Sequence, residues 1–168
     1  LESGQAHRWK KSDDWYAGVV RGEFIQIRQT AQAVEFSSGP SPEEAAAKML
    51  RDYFRLDDDI DAIYSDLNRD GRVAAMVNKY PGLRILRTEP WECLVAFICS
   101  ANNNIARIHQ LMERMSDEFG SPLTLNGLTR HTFPSPANLA EAGEDELRRL
   151  GLGFRAPYVD QASRAVLE

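Results

Sequence analysis

The sequence predicts an α+β chain, β-rich at its start and helical in the remainder. Two observations carry this. Residues 5–37 hold four short strand-like segments, Gln5–Lys10, Trp15–Arg21, Glu23–Gln29 and Ala33–Ser37. Polar turns such as Ser12-Asp13-Asp14 and Arg21-Gly22-Glu23 join them, the pattern of an antiparallel meander. From Glu89 onward the reading is all helical. Its plainest stripe is Ile105, Ile108, Leu111, Met112, Met115 and Phe119, which share one helical face.

Phe24, Ile25 and Ile27, with Gln26 and Arg28 between, alternate in part, as in a sheet with one wet face. Ser38–Pro42 is a loop into a helix. Ser41 is its expected N-cap, Pro42 its first residue and Glu44 the partner in a capping box. That helix runs through Ala45, Met49, Leu50 and Tyr53. Short helices follow at Ile60–Leu67 and Gly71–Lys79, the latter closed by Tyr80-Pro81-Gly82. Leu83–Leu86 has β character and is expected to return to the opening sheet. Pro90 starts the helix Trp91–Cys99, and Gly120 with Pro122 ends the one begun at Ile105. After a Pro- and Asn-rich loop, Ser135-Pro136 opens a short helix, Glu144–Leu150 forms another, and the last begins at Ala156. Two domains are expected, residues 1–88 and 89–168, the second incomplete. The chain opens at Leu1 without Met and stops at Glu168 inside a helical pattern, so a fragment is expected.

The 168 residues are 43% hydrophobic and 27% charged, ordinary for a soluble globular protein. No apolar run approaches transmembrane length. Net charge is −5, so any nucleic-acid contact must use a local basic face. Cys93 and Cys99, six apart on one apolar helix, make no metal or CxxC motif and read as buried thiols of an intracellular protein. His7, His109 and His131 lack metal-ligand spacing. Trp9, Trp15 and Trp91 are expected in the core. Asp57-Asp58-Asp59 reads as a solvated helix start.

One stretch stands apart, Phe97-Ile-Cys-Ser-Ala-Asn-Asn-Asn-Ile-Ala-Arg-Ile108. Three asparagines interrupt two apolar helices, although asparagine competes with the helix for backbone groups. Asn104 serves as the cap of the second helix, which leaves Asn102 and Asn103 without a structural role. Gly4, before the first strand, is either a plain turn or a place where a flat ligand approaches a backbone carbonyl. Leu150-Gly-Leu-Gly-Phe-Arg155 reads as a tight helix–helix turn, beyond which Phe154 and Arg155 are exposed without structural cause.

Together, Ser3-Gly-Gln-Ala-His-Arg-Trp9, Tyr53-Phe-Arg-Leu-Asp57, Glu89-Pro-Trp-Glu-Cys-Leu94, the asparagine stretch and Gly151-Leu-Gly-Phe-Arg-Ala156 resemble the 8-oxoguanine DNA glycosylase/AP-lyase family of the helix-hairpin-helix superfamily. The resemblance spans nearly the whole chain in order. It implies a TATA-binding-protein-like sheet domain followed by the first helices of the glycosylase domain. It also implies base-excision repair of 8-oxoguanine opposite cytosine in duplex DNA, by base flipping at a cost of roughly a few kcal/mol, in a monomer associated with DNA that uses no cofactor, no metal and no membrane. Asn102 is then expected to fill the vacated space and Phe154 to wedge the stack. Arg107 and Arg155 are expected to hold the orphaned cytosine, whose O2 and N3 accept what arginine donates. The Gly4 carbonyl is expected to accept the N7 hydrogen that 8-oxoguanine carries and guanine lacks, one contact worth ~1–3 kcal/mol.

Two positions depart from the family pattern, His7 for its usual aromatic and Phe154 for its usual tyrosine. A larger departure is that no Leu-Pro-Gly-Val-Gly hairpin occurs and no lysine lies beyond Lys79. The family's Schiff-base lysine and its aspartate are therefore expected after Glu168, and the chain itself is expected to be inactive. Rival readings are an alkylated-purine glycosylase and a non-catalytic damaged-DNA-binding module.

Overall fold

A computed structural model describes residue 1 and residues 4–168; Ser3, the first residue of the opening motif, lies outside the described residues. The chain forms two compact units, residues 1–46 with 88–168, and residues 47–87.

The first unit holds a four-stranded antiparallel sheet, β1 (Lys10–Ser12), β2 (Trp15–Val20), β3 (Glu23–Gln29) and β4 (Val34–Gly39), in sequential order. Val20 pairs with Glu23 across a tight turn in which Arg21 and Gly22 take φ of 49° and 83°. This is the two-residue geometry that matches strand twist. Phe24 and Ile25 are both fully buried. Successive strand residues face opposite sides, so β3 is covered on both faces at Phe24 and Ile25, while Gln26 and Arg28 at the expected wet positions stay partly exposed. The expected first strand shrinks to Lys10–Ser12, because residues 4–8 dock elsewhere, as described below.

A second correction lies past Gly120. The expected loop is a hairpin, β5 (Pro122–Leu125) and β6 (Leu128–His131), turned by Asn126 and Gly127 at φ of 49° and 75°. It packs on the sheet, and Asn126 Nδ2 donates to Gln26 Oε1 at 2.7 Å. Asn-Gly between alternating residues is itself a strong hairpin signal.

Helix α1 (Glu43–Tyr53) follows the sheet. Ser41 does not serve as its cap: the Ser41 hydroxyl donates to Glu23 Oε1 at 2.5 Å, and the first helical bond runs from Ala46 N–H to the Pro42 carbonyl. In the second unit, α2 (Ile60–Leu67) and α3 (Gly71–Lys79) start at Asp59 and Asp70, whose carboxylates accept from Ala62 N–H and from Arg72 and Val73 N–H. Asp59 is thus the solvated helix start its run implied. Leu83–Leu86 forms no strand. Its chain is tied instead to the end of α1, Arg87 N–H donating to the Tyr53 carbonyl and Arg84 Nη1 to the Arg55 carbonyl.

Back in the first unit, α4 (Pro90–Ser100), α5 (Ile105–Phe119), α6 (Pro136–Arg149) and α7 (Ala156–Ala165) enclose a core of Val95, Cys99, Leu111, Met112, Met115, Leu139, Leu147, Leu152 and Val159, all fully buried. Gly143, at φ 73° and ψ 177°, breaks α6, so the two short helices expected there abut at that residue. Cys99 is buried as expected and Cys93 is exposed. No tryptophan is fully buried; Trp91 keeps its indole N–H on the Pro134 carbonyl at 3.0 Å.

Candidate functional site

Helix α5 organises the site, because three tracts of the chain attach to it. The first is its own entry loop. Asn104 Oδ1 accepts from Arg107 N–H at 2.9 Å, a cap worth about 1 kcal/mol. Asn103 also has a structural task, contrary to expectation: its Nδ2 donates to the Cys99 carbonyl, the end of α4, and its Oδ1 accepts from Asn104 N–H. Asn102 alone is left over. It is exposed, its φ is +47°, and asparagine is among the few side chains that enter this region readily. Its neighbours hold the backbone while its amide makes no hydrogen bond to a described residue.

The second tract is the α6–α7 turn. Arg107, one turn into α5, donates from Nη2 to the Gly151 carbonyl at 3.2 Å, and Arg114, two turns on, donates to the Leu150 carbonyl at 3.1 Å. Gly151 has φ +97°, and a Cβ there would lie 2.8 Å from Arg107 Nη2. The backbone therefore favours glycine, and any side chain there would also push the guanidinium aside. From the far side of the turn, Arg155 reaches back: Nε and Nη2 donate to the Ala101 carbonyl at 2.9 and 2.5 Å, and Nη2 to the Asn102 carbonyl at 2.9 Å. Its guanidinium also sits 4.4 Å from the centroid of the Phe154 ring, which is 51% exposed. Asn102, Arg107, Phe154 and Arg155 therefore form one cluster, built from two loops that carbonyl–guanidinium bonds tie together.

The third tract is residues 4–10, which follow one stripe of α5, its residues spaced i, i+4 and i+8. A Cβ on Gly4 (φ +84°) would stand 3.2 Å from Ile105 Cδ1. His7 meets His109 edge to face, ring centroids 5.1 Å apart. Arg8 Nε lies 3.5 Å from Glu113, and Lys10 Nζ 2.8 Å from the same carboxylate. Arg8 is 3% exposed, has Glu92 3.7 Å away, and donates to the His131 carbonyl. Arg130 completes the cluster, Nη2 bonding both Glu113 oxygens and the Arg8 carbonyl. Burial lowers the Arg8 pKa. Burial first, then the neighbouring Glu89 and Glu113 carboxylates, push Glu92 up to about 7 despite Arg8 beside it.

All five expected residues thus gather at the N-terminal end of α5. Sequence reasoning missed the Arg8–Glu113–Arg130 cluster, whose members are 17 to 122 residues apart along the chain and carry no local signal. It also missed His109 and Arg114; the i, i+4 spacing of His109 from Ile105 and the i, i+7 spacing of Arg114 from Arg107 were the available clues. Among the described residues no group of histidine, cysteine and carboxylate side chains could hold a metal, and no helix is long and apolar enough to cross a membrane.

Comparison with known proteins identifies the family. Residues 1–94 match the family described as 8-oxoguanine DNA glycosylase, N-terminal domain, and residues 95–167 the HhH-GPD superfamily of base excision DNA repair proteins. An N-glycosylase/DNA lyase of Arabidopsis thaliana is 34% identical over 166 residues, covering 94% of this chain and 44% of that protein. The N-glycosylase/DNA lyase of Saccharomyces cerevisiae is 33% identical over 181 residues, covering 99% and 48%. The Clostridium acetobutylicum 8-oxoguanine glycosylase/lyase, solved with duplex DNA containing cytosine opposite 8-oxoguanine, superposes with a TM-score of 0.89 at 29% identity, over 98% of this chain and 56% of that one. The chain spans about half the length of the curated relatives it matches. By sequence motif, by fold and by the matched residues, it belongs to the 8-oxoguanine DNA glycosylase family.

Proposed function

We propose that this chain is the lesion-reading part of a base-excision-repair DNA N-glycosylase with AP lyase activity, selective for 8-oxoguanine opposite cytosine in duplex DNA. The observation that carries the reading is the tied pair of loops. Asn102 and Phe154 stand exposed on them, and both arginines that hold the loops are of the type that pairs with cytosine. In this reading Asn102 enters the gap left by the flipped base and Phe154 wedges the neighbouring stack. Arg107 and Arg155 exchange carbonyl oxygens of their own chain for O2 and N3 of the widowed cytosine. That exchange trades one set of donor–acceptor pairs for another, so it costs little while selecting a base whose edge accepts.

Gly4 supplies the lesion test. Its carbonyl gains a hydrogen bond from N7–H of 8-oxoguanine and meets a lone pair on guanine, a difference of ~1–3 kcal/mol or about 10–100-fold. Residues 1–88 serve as the sheet domain that brings this carbonyl, and residues 89–168 as the part that probes the duplex. The chain binds as a monomer and needs neither cofactor nor metal for recognition. These 168 residues hold no lysine beyond Lys79, and in this reading they supply recognition rather than the nucleophile.

Fluorescence anisotropy with duplexes carrying 8-oxoguanine:C and G:C tests this, paired with borohydride trapping. The expected result is at least tenfold tighter binding to the lesion duplex and no trapped adduct. Equal affinity for the two duplexes refutes lesion reading, and a trapped adduct refutes recognition without a nucleophile.

A further inference from the structure

The His7–His109 pair belongs to no role assigned above. The two imidazoles meet edge to face at 5.1 Å, between the Gly4–Ile105 contact and the Arg8–Glu113 cluster, so the pair is the middle of three fastenings that hold residues 4–10 on α5. Each ring carries one buried nitrogen, Nδ1 of His7 and Nε2 of His109, with no hydrogen-bond partner among the described residues. A neutral imidazole tolerates one such nitrogen as an idle acceptor; an imidazolium must place an N–H there. Among the described residues the neighbouring carboxylates are already engaged. Glu113, one turn along α5 from His109, is engaged by Arg8, Lys10 and Arg130, and Glu92 lies beside Arg8.

We propose that His109, acting through His7, positions Gly4 for lesion reading, and that the segment stays docked only while the His7 ring is neutral, so that acidification releases it. This rests on the reading of Gly4 given above. His7 already has its pKa lowered by burial and then by His109. The sign follows: an undocked His7 takes up its proton near 6.5 while the docked ring resists it, so docking weakens as pH falls below about 6.5, by at most about tenfold per pH unit. His7 and His109 are positioning residues, since neither is assigned a contact with the lesion.

Two measurements on the 168-residue chain test this, each at pH 5.0 and 7.5. Amide hydrogen exchange in the free chain, corrected for its intrinsic pH dependence, reads docking directly. Protection at residues 4–8 is expected to fall about tenfold or more at the lower pH in the native chain, and to hold in His7→Phe, which keeps an edge-to-face ring without a titrating nitrogen. Anisotropy with 8-oxoguanine:C and G:C duplexes reads positioning. The ratio of affinities, which cancels the general effect of pH on DNA binding, is expected to narrow on acidification in the native chain and to stay constant in His7→Phe. Identical pH profiles for the native chain and His7→Phe in both measurements overturn the proposal. A ratio of one at both pH values refutes Gly4 as the lesion reader and with it the positioning role. Exchange then still decides the acid-released latch, because it involves no DNA.

Discussion

Arg155 donates from Nη2 to the main-chain carbonyl of Asn102 at 2.9 Å, joining residues 53 apart in the sequence and bonding the Ala101 carbonyl with the same guanidinium. One side chain therefore both holds the left-handed asparagine in place and, in the proposed function, reads the base beside it. Arg155→Ala is expected to reduce the preference for lesions opposite cytosine by about 1–3 kcal/mol. Arg155→Lys should recover little of it, since an ammonium cannot donate in a planar fork. Dissociation constants with C, A, G and T opposite the lesion check this; unchanged ratios in Arg155→Ala would remove Arg155 from base reading.

At Gly151, alanine imposes a left-handed backbone on a side chain that disfavours it, at about 1–2 kcal/mol. Its Cβ also displaces the guanidinium of Arg107, which can swing away. Gly151→Ala is thus expected to lower the urea-derived unfolding free energy by that amount and to weaken lesion binding further. Gly151→Asn, tolerated at positive φ, should be the less destabilised of the two.

Arg8 is the buried charge on which Glu92, Glu113 and the His131 carbonyl converge. Its removal leaves carboxylates partly unpaired, an effect on the order of 3–5 kcal/mol. Arg8→Ala is expected to cut the melting temperature sharply; a loss below about 1 kcal/mol would mean that Lys10 and Arg130 suffice.

Glu92 makes stability depend on pH. Its carboxyl is raised from 4.5 to about 7 in the fold, so the folded chain keeps a proton that the unfolded chain releases. Its contribution is complete below pH 4.5 and is lost as pH rises through 7, by about 3 kcal/mol at 1.36 kcal/mol per pKa unit. Urea titrations at pH 4.5 and 8 should show the native chain losing that much relative to Glu92→Gln. Parallel curves would show that Arg8 keeps Glu92 ionised throughout.

What the sequence determined by itself is whatever depends on near neighbours. Strands β2 and β3, the caps at Asn104, Asp59 and Ser135, the break at Gly143 and the turn around Gly151 all follow from periodicity and from side chains bonding backbone within three or four residues. Asn102 was legible for the same reason, as the residue that no local bond explained. The tertiary structure alone decided where competing partners lay far apart. Gln5–Lys10 reads as a strand, yet most of it is drawn onto α5 by His109 and by the Glu113–Arg130 pair, more than a hundred residues away. Leu83–Leu86 has strand propensity but lies tied to Tyr53 and Arg55. Asn103, as conspicuous in sequence as Asn102, is occupied by the end of α4. Propensity differences are worth about 1 kcal/mol or less per residue. A buried guanidinium short of its carboxylates costs several times that, so the long-range contact prevails.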